Sequence, residues 1–144
     1  MSATNAVETA LLNLIFKGTT WANMADNAAA SPITSFYISL HTADPADTGD
    51  QTTSETAYTG YSRIAVTRDG TGWTVSGNAA TNAAEIAFGI CTASPGSNLT
   101  HAGLGTASTG AGRLFLSNPL DSAIAMQVGT VPIFSIGELE FTCD

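Results

Sequence analysis

The side chains that could perform catalysis are few in this sequence. It contains two histidines, His41 and His101, and two cysteines, Cys91 and Cys143. His41 precedes Asp44 by three residues, which would allow a histidine–carboxylate contact. A nucleophilic triad also needs an activated serine or cysteine on a sharp turn, and no G-x-S-x-G motif occurs. We therefore expect no catalytic residues and a protein that is not an enzyme.

Metal and cofactor motifs are also absent from the sequence. The cysteines and histidines form no closely spaced pairs, which zinc sites normally have. The acids Asp44, Asp47 and Asp50 come at every third position, whereas an EF-hand loop places its ligands at every second. This loop therefore reads as a solvated turn, with an interfacial calcium ion in an assembled particle as the alternative. Residues 103–105 contain a G-x-G but no third glycine, and no Walker motif occurs, so no cofactor is predicted.

Composition limits the classes of partner. Charged residues make up 11% of the 144 residues, well below the usual quarter, and the net charge is −8. The bases are only Lys17, Arg63, Arg68 and Arg113. Four scattered cations do not form the basic stripe that nucleic acid or anionic lipid requires, so we expect neither partner. No signal peptide or membrane span is visible, so we expect synthesis in the cytoplasm.

The length of the chain predicts a single domain over residues 1–144. We expect its two cysteines to be free buried thiols, and a disulfide between Cys91 and Cys143 is the alternative. A helix is predicted over about residues 4–17, because Asn5 and Glu8 have the spacing of a capping box. Gly18 ends it. Its apolar stripe is predicted to consist of Val7, Leu11, Leu14 and Ile15.

Beyond Pro32 the apolar period changes from helical to two, as in Phe36, Ile38 and Leu40. Further strands are expected at about 61–68, 72–76, 84–90, 99–105, 113–117, 123–128 and 137–143. Turns separate them, including one at residues 118–119, and residues 69–70 are the best hairpin signal. About eight short strands without crossover helices predict a mostly-β fold with antiparallel sheets. We expect a two-sheet β-sandwich over about 33–144, compatible with a jelly roll.

Several exposed aromatic and apolar side chains are candidates for an interface. Trp21, Tyr58 and Tyr61 lie in or beside predicted loops. Leu11 and Ile15 lie on the predicted helix, which we expect to dock against a neighbouring subunit, with the loop at residues 44–53 as the alternative contact. These five residues are the predicted interface positions. An alternative use of exposed Trp21, Tyr58 or Tyr61 is stacking on sugars in a carbohydrate-binding module that aids adsorption.

The order of elements resembles a family of small tailed-bacteriophage proteins that are labelled tail-fibre-like or virion structural proteins. The most specific stretches read FYISLHTADP at residues 36–45 and YTGYSRIAV at residues 58–66. Others read NAVETALLNLIF at residues 5–16, AAEIAF at 83–88 and THAGL at 100–104. The resemblance implies a structural role in the virion and carries no catalytic residues.

Two structural roles follow from the resemblance, size and acidity. The first is a capsid decoration, or cement, protein that bridges subunits of the major capsid protein as a homo-dimer or trimer. An acidic protein suits the outer capsid surface because like charge repels the packaged genome. The second is a tail or baseplate-associated subunit with tail proteins as partners. The sequence leads us to expect the capsid role over the tail role.

Overall fold

The computed structural model describes residues 5–21 and 32–142. The chain divides into two compact units, each assembled from separated segments. The first unit comprises Met1–Ser35, Thr67–Ile86 and Phe134–Asp144, and the second comprises Phe36–Val66 and Ala87–Ile133. The single domain expected over residues 1–144 stays a prediction.

One helix and nine strands are present in the described residues. The helix is α1 (Asn5–Lys17). The strands are β1 (Ser35–His41), β2 (Ile64–Thr67), β3 (Trp73–Ser76), β4 (Ala79–Asn82), β5 (Ile86–Ala87), β6 (Asn98–Gly105), β7 (Leu114–Ala125), β8 (Ile133–Phe134) and β9 (Glu140–Thr142). The predicted mostly-β, antiparallel fold with one N-terminal helix is confirmed, and its open sheets are consistent with a β-sandwich. The jelly-roll topology stays a prediction.

The buried face of α1 differs from the predicted stripe. Leu12 and Phe16 are buried together with Glu8, whereas Val7 is 40% exposed. Phe16 decides this orientation, since its ring packs edge-on against Trp73 at 4.6 Å between centroids. Large aromatic side chains contribute most to burial, so the helix turns the phenylalanine inward and leaves the predicted stripe only partly covered.

Arg68 closes the C-terminal end of α1. Its guanidinium donates hydrogen bonds to the carbonyl oxygens of Leu14 and Ile15. Gly18 follows the helix at a φ of 62°, and the N–H of Thr19 donates to the carbonyl of Asn13 at 3.1 Å. The last carbonyls of a helix have no partner within it and carry partial negative charge, so a cation there stabilises the end.

The first unit contains the sheet of order β3-β4-β9. Gly77, at a φ of 59°, lies in the tight turn between Ser76 and Ala79, which are paired across β3 and β4. The predicted hairpin at residues 69–70 is wrong, because β2 and β3 on either side of it belong to different sheets. Asp69 instead accepts hydrogen bonds from the backbone and hydroxyl of Thr71, which makes a local turn without strand pairing.

The second unit contains most of the sheet of order β2-β1-β6-β7. Strands β1 and β6 are antiparallel, with Tyr37 opposite Gly105 and His41 opposite His101. The turn predicted at residues 118–119 is wrong, since β7 runs through both positions. Pro119 is tolerated because β7 is an edge strand, with β6 as its one neighbour among the described strands, and a missing N–H costs least there.

The remaining strands β5 and β8 form a two-stranded sheet. The strand predicted at 84–90 is therefore much shorter than expected, and β4 and β8 were not foreseen. Of the predicted strand at 137–143, only Glu140–Thr142 is extended, and Cys143 lies outside the described residues.

Cys91 is a buried free thiol, as predicted. No helix in the described part of the chain is long and apolar enough to span a membrane.

Candidate functional site

The two stretches with the most specific resemblance meet within the second unit. The backbone N–H of Leu40 donates to the hydroxyl oxygen of Tyr61 at 3.1 Å. The Tyr61 hydroxyl in turn donates to Oε1 of Glu55 at 2.8 Å. Glu55 is also bridged to His41 through the backbone. In the Y-x-R pattern, Tyr61 thus contacts β1 at Leu40, and both Tyr61 and Arg63 bind the Glu55 carboxylate.

Arg63 completes this group, which we call the Tyr61–Glu55–Arg63 cluster. Its Nε and Nη2 donate to the two carboxylate oxygens of Glu55, each at 2.7 Å. The same guanidinium donates to the carbonyls of Ala107 at 2.9 Å and Gly110 at 2.8 Å. The hydrogen bonds to the Glu55 carboxylate raise the pKa of Arg63. The segment at residue 55 and the turn at residues 107–110 are therefore held together by one side chain, and Arg63 is only 8% exposed.

An open depression of about 390 Å³ lies over this cluster. Its lining consists of Glu55, Thr56, Ala57, Tyr58, Tyr61, Ser62, Arg63, Ser108, Thr109 and Gly110. The charged groups in it are already bonded to each other and to backbone carbonyls. A ligand would have to displace 2.7 Å charge-assisted bonds to reach them, so the cluster is built to hold the fold together.

The tyrosines of the depression are packing residues. Tyr58 is 2% exposed, its hydroxyl donates to the carbonyl of Gly89 at 3.0 Å, and burial raises its pKa to about 12. The Tyr61 ring lies 5.4 Å from that of Tyr58 and stacks on Phe88 at 6.1 Å. The expectation that Tyr58 is exposed is wrong, because its ring fills this aromatic group. A sugar cannot stack on it in this arrangement.

Ser39 and His41 form a pair that looks like a nucleophile and its base. Ser39 Oγ lies 2.8 Å from His41 Nε2, and His41 Nδ1 lies 2.8 Å from the carbonyl of Thr53. Burial lowers the pKa of His41, so the ring is neutral near pH 7 and donates from Nδ1 to that carbonyl. Nε2 then accepts from the Ser39 hydroxyl. Both side chains are fully buried, so no substrate reaches the hydroxyl in this conformation.

Gly103 explains how the pair is enclosed. A β-carbon at this position would lie 2.7 Å from each of His41 Nε2, Ser39 Oγ and Leu114 Cδ1. Gly103 lies opposite Ser39 on the neighbouring strand β6, and its lack of a β-carbon leaves room for the Ser39 and His41 side chains. The G-x-G at 103–105 is a close-packing motif, and this is the signal by which the sequence could have revealed it.

Gln51 is a second buried polar residue that the sequence did not reveal. Its side chain is fully buried and its Oε1 accepts a hydrogen bond from the N–H of Ala107 at 2.9 Å. A β-carbon at Gly105 would lie 2.0 Å from its Cδ, and one at Gly112 would lie 2.4 Å from its Oε1. Two glycines therefore leave the space that this amide fills.

The acidic loop uses its carboxylates locally. Asp44 accepts from the N–H of Ala46 at 2.9 Å, and Asp50 accepts from the N–H and hydroxyl of Thr52 at 2.8 and 2.6 Å. The hydrogen bonds from Thr52 lower the pKa of Asp50. Over residues 5–21 and 32–142, no group of three or more histidine, cysteine, aspartate or glutamate side chains could hold a metal ion.

The other three predicted interface positions belong to a different unit from the Tyr61–Glu55–Arg63 cluster. Leu11 and Ile15 are half-buried on α1, and Trp21 is half-buried just beyond it. All three belong to the first unit, whereas Tyr58 and Tyr61 belong to the second. A role of these five residues in an interface stays a prediction.

Comparison with known proteins assigns the chain to a family. No curated protein matches it. A family model described as Podophage GP4 fiber I protein gp80 matches residues 2–142. The match spans nearly all of both units and confirms the resemblance to virion structural proteins of tailed phages. The chain therefore belongs to the podophage GP4 fiber I protein gp80 family, and it is a phage structural protein.

Proposed function

We propose that the chain is a structural subunit of a fibre attached to the tail of a phage particle. The observation that carries the proposal is the family match over residues 2–142, since the family is named for a fiber protein. The capsid decoration role that the sequence favoured has no such support. We therefore propose that the chain lies on the tail and not on the outer capsid surface.

A structural role also fits the way in which polar side chains are used. The side chains that most resemble catalytic groups, Ser39 and His41, are fully buried in close contact with Gly103. The ion pair between Arg63 and Glu55 joins backbone segments to each other. Groups that are hydrogen-bonded within the fold in this way stabilise a particle component. The proposed role is therefore mechanical and not catalytic.

The proposed partners are tail proteins, with neither nucleic acid nor membrane lipid among them. Two of the four cations, Arg63 and Arg68, donate their guanidinium hydrogen bonds to acceptors within the protein. The net charge of −8 repels phosphate, so the surface favours contact with other proteins.

Purified virions of the parent phage test the location. Quantitative mass spectrometry with isotope-labelled peptides would give the copy number of this chain relative to the major capsid protein. Labelling with an antibody against the chain would show its position by electron microscopy, with an antibody against the capsid protein as the matched control. We expect few copies and label on the tail. A copy number near that of the capsid subunits, with label over the head, would establish the decoration role instead.

A further inference from the structure

His41 binds the segment that follows β1, residues 42–56, which we call the flap. The far end of the flap returns to the end of β1, where the N–H of Thr42 donates to the carbonyl of Ser54 at 2.8 Å. Beside this bond, Nδ1 of His41 lies 2.8 Å from the carbonyl of Thr53. A carbonyl can only accept, so Nδ1 carries the proton and donates it. The imidazole is therefore a side-chain tie between β1 and the flap.

The backbone of the flap is strained. Ala46 and Ser54 have positive φ angles of 57° and 54°, a conformation that residues other than glycine adopt at a cost. Neutral hydrogen bonds hold the middle of the flap at Gln51, whose N–H donates to the carbonyl of Gly112 at 3.1 Å and whose Oε1 accepts from the N–H of Ala107 at 2.9 Å. Release of the flap would relieve the two strained angles.

A proton added to His41 would find its counter-charge already in use. The charged and ionisable groups that act on the ring are Glu55 of the flap, Arg63 and His101. His101 lies opposite His41 on β6, and a second cation there would repel the first. Both oxygens of the Glu55 carboxylate accept hydrogen bonds from Arg63 at 2.7 Å. The pair is therefore already neutral before His41 takes up a proton.

The other ionisable side chains of the flap and of the adjoining segments are engaged elsewhere or exposed to solvent. Asp44 and Asp50 accept hydrogen bonds from backbone N–H groups of their own turns. Asp47 of the flap and Asp121 of β7 are exposed. The Tyr61 hydroxyl donates to Glu55 at 2.8 Å, and burial raises the pKa of Tyr61, so this group stays neutral.

The other nitrogen of the ring is poorly placed for a proton as well. Nε2 of His41 lies 2.8 Å from Ser39 Oγ and accepts from that hydroxyl while the ring is neutral. An imidazolium would donate from Nε2, and the hydroxyl would have to turn to the carbonyl of Gly103, 3.4 Å from Oγ. That distance is long for a hydrogen bond between two oxygen atoms. A charged ring would therefore gain stability by reaching water.

We propose that the flap is an acid-released element, in which a proton on His41 frees residues 42–56 from β1 while the first unit stays folded. The flap moves and β6 does not, because β1 and β6 are paired continuously along Tyr37–His41 and only the flap loses strain on leaving. The inference goes beyond the proposed function, since it is independent of where the chain lies in the virion. It also differs from a general loss of stability in acid, because it is confined to one segment.

Hydrogen–deuterium exchange of the purified full chain, read by mass spectrometry at about pH 7.5 and about pH 5, tests the proposal after correction for the intrinsic effect of pH on exchange. Burial lowers the pKa of His41 in the closed state, and the open state returns it to about 6.5. Acid therefore favours opening. We expect the opening equilibrium of the flap to rise by up to about thirtyfold, the limit set by the roughly 1.5 pH units between 6.5 and 5.

Strands β3 and β4 provide the internal reference. They belong to the first unit, whose segments contain neither His41 nor His101. We expect the corrected exchange of their amides to be the same at both pH values, which would separate opening of the flap from unfolding of the whole chain.

Two variants separate the histidines. His41→Asn keeps an amide N–H near the position of Nδ1 but does not titrate in this range, so we expect its flap to exchange equally at both pH values. His101→Gln is the matched control, and its flap should still open in acid. Circular dichroism at about pH 7.5 would establish that both variants are folded.

Three results would overturn the proposal. One is exchange of the wild-type flap that does not change between the two pH values. Another is an equal gain of exchange in β3 and β4, which would show general unfolding. The third is acid opening that persists in folded His41→Asn or disappears in folded His101→Gln.

Discussion

Arg63 and Glu55 face each other through two parallel hydrogen bonds, from Nε to Oε1 and from Nη2 to Oε2, each 2.7 Å long. This fork-to-fork geometry requires the planar guanidinium, since an ammonium group offers donors from a single nitrogen. The remaining bonds of Arg63 reach the carbonyls of Ala107 and Gly110. One arginine therefore joins the segment around residue 55 to the turn around residue 108.

Arg63→Lys should destabilise the protein markedly. The lysine keeps the charge but loses the fork and the bonds to the 107–110 turn, and it leaves a partly buried Glu55 carboxylate without its full set of donors. We expect a loss of about 2 kcal/mol in the free energy of unfolding, as for the loss of hydrogen bonds made by charged groups. Urea denaturation followed by circular dichroism measures it. Arg113→Lys is the control at an exposed position, where a change within about 0.5 kcal/mol is expected. Equal effects of the two substitutions would contradict the structural role of Arg63.

Gly103→Ala should be costly although it adds one methyl group. The new β-carbon would lie 2.7 Å from three atoms, including His41 Nε2 and Ser39 Oγ. Both of those side chains are fully buried and have little room to move. Overpacking of this kind costs about 1–3 kcal/mol, which thermal or urea denaturation would detect.

Gly70→Ala provides the comparison for that substitution. A β-carbon at Gly70 meets no atom within 4 Å. We expect no loss of stability there, and a loss as large as that of Gly103→Ala would show that the crowding over His41 is not the cause.

His41 should make the protein sensitive to mild acid. Burial lowers the pKa of His41 below its ordinary value of 6.5, so the folded state favours the neutral ring. A depressed pKa contributes stability above the unfolded value, and this contribution is lost as the pH falls through the folded value. We expect the free energy of unfolding to decline from about pH 6.5 downward, before most carboxylates titrate. His41→Gln should flatten the curve between about pH 6.5 and 5, and a slope unchanged by the substitution would refute the assignment.

Asn82 should contribute strongly to the stability of the first unit. Its side-chain N–H groups donate to the carbonyls of Ala84 at 2.7 Å and Ser135 at 2.8 Å, and its Oδ1 accepts from the N–H of Leu139 at 2.9 Å. Asn82→Ala leaves these backbone groups unsatisfied, so we expect a loss of about 2–3 kcal/mol. Asn98→Ala, at an exposed position, should change the unfolding free energy by less than about 0.5 kcal/mol. A small effect at Asn82 would mean that water replaces its bonds.

Local pattern was sufficient for several elements. The helix follows from its spacing of apolar residues and the glycine at its end, and the observed bounds Asn5–Lys17 agree with the prediction. The strand at Ser35–His41 follows from its alternation of apolar and polar residues. These signals are carried by neighbouring residues, so they can be read without knowing what the element packs against.

Pairing between distant segments was not predictable in the same way. The turn signal at residues 69–70 is genuine, but the strands on either side enter different sheets. Pro119 reads as a break in the sequence, yet it is accommodated because β7 lies at a sheet edge. In each case the local residues permit two outcomes, and the position of a distant partner selects one.

The sequence by itself determined the class of fold, the lack of catalytic motifs and the acidic surface, because composition and short-range periodicity carry that information. Only the tertiary structure decided what the polar residues do. It showed that Arg63 holds Glu55 and a distant turn, that His41 is enclosed by Gly103, and that Tyr58 is a core residue. The physical reason is that burial and hydrogen bonding depend on contacts between residues far apart in the chain. Spacing along the sequence does not encode those contacts.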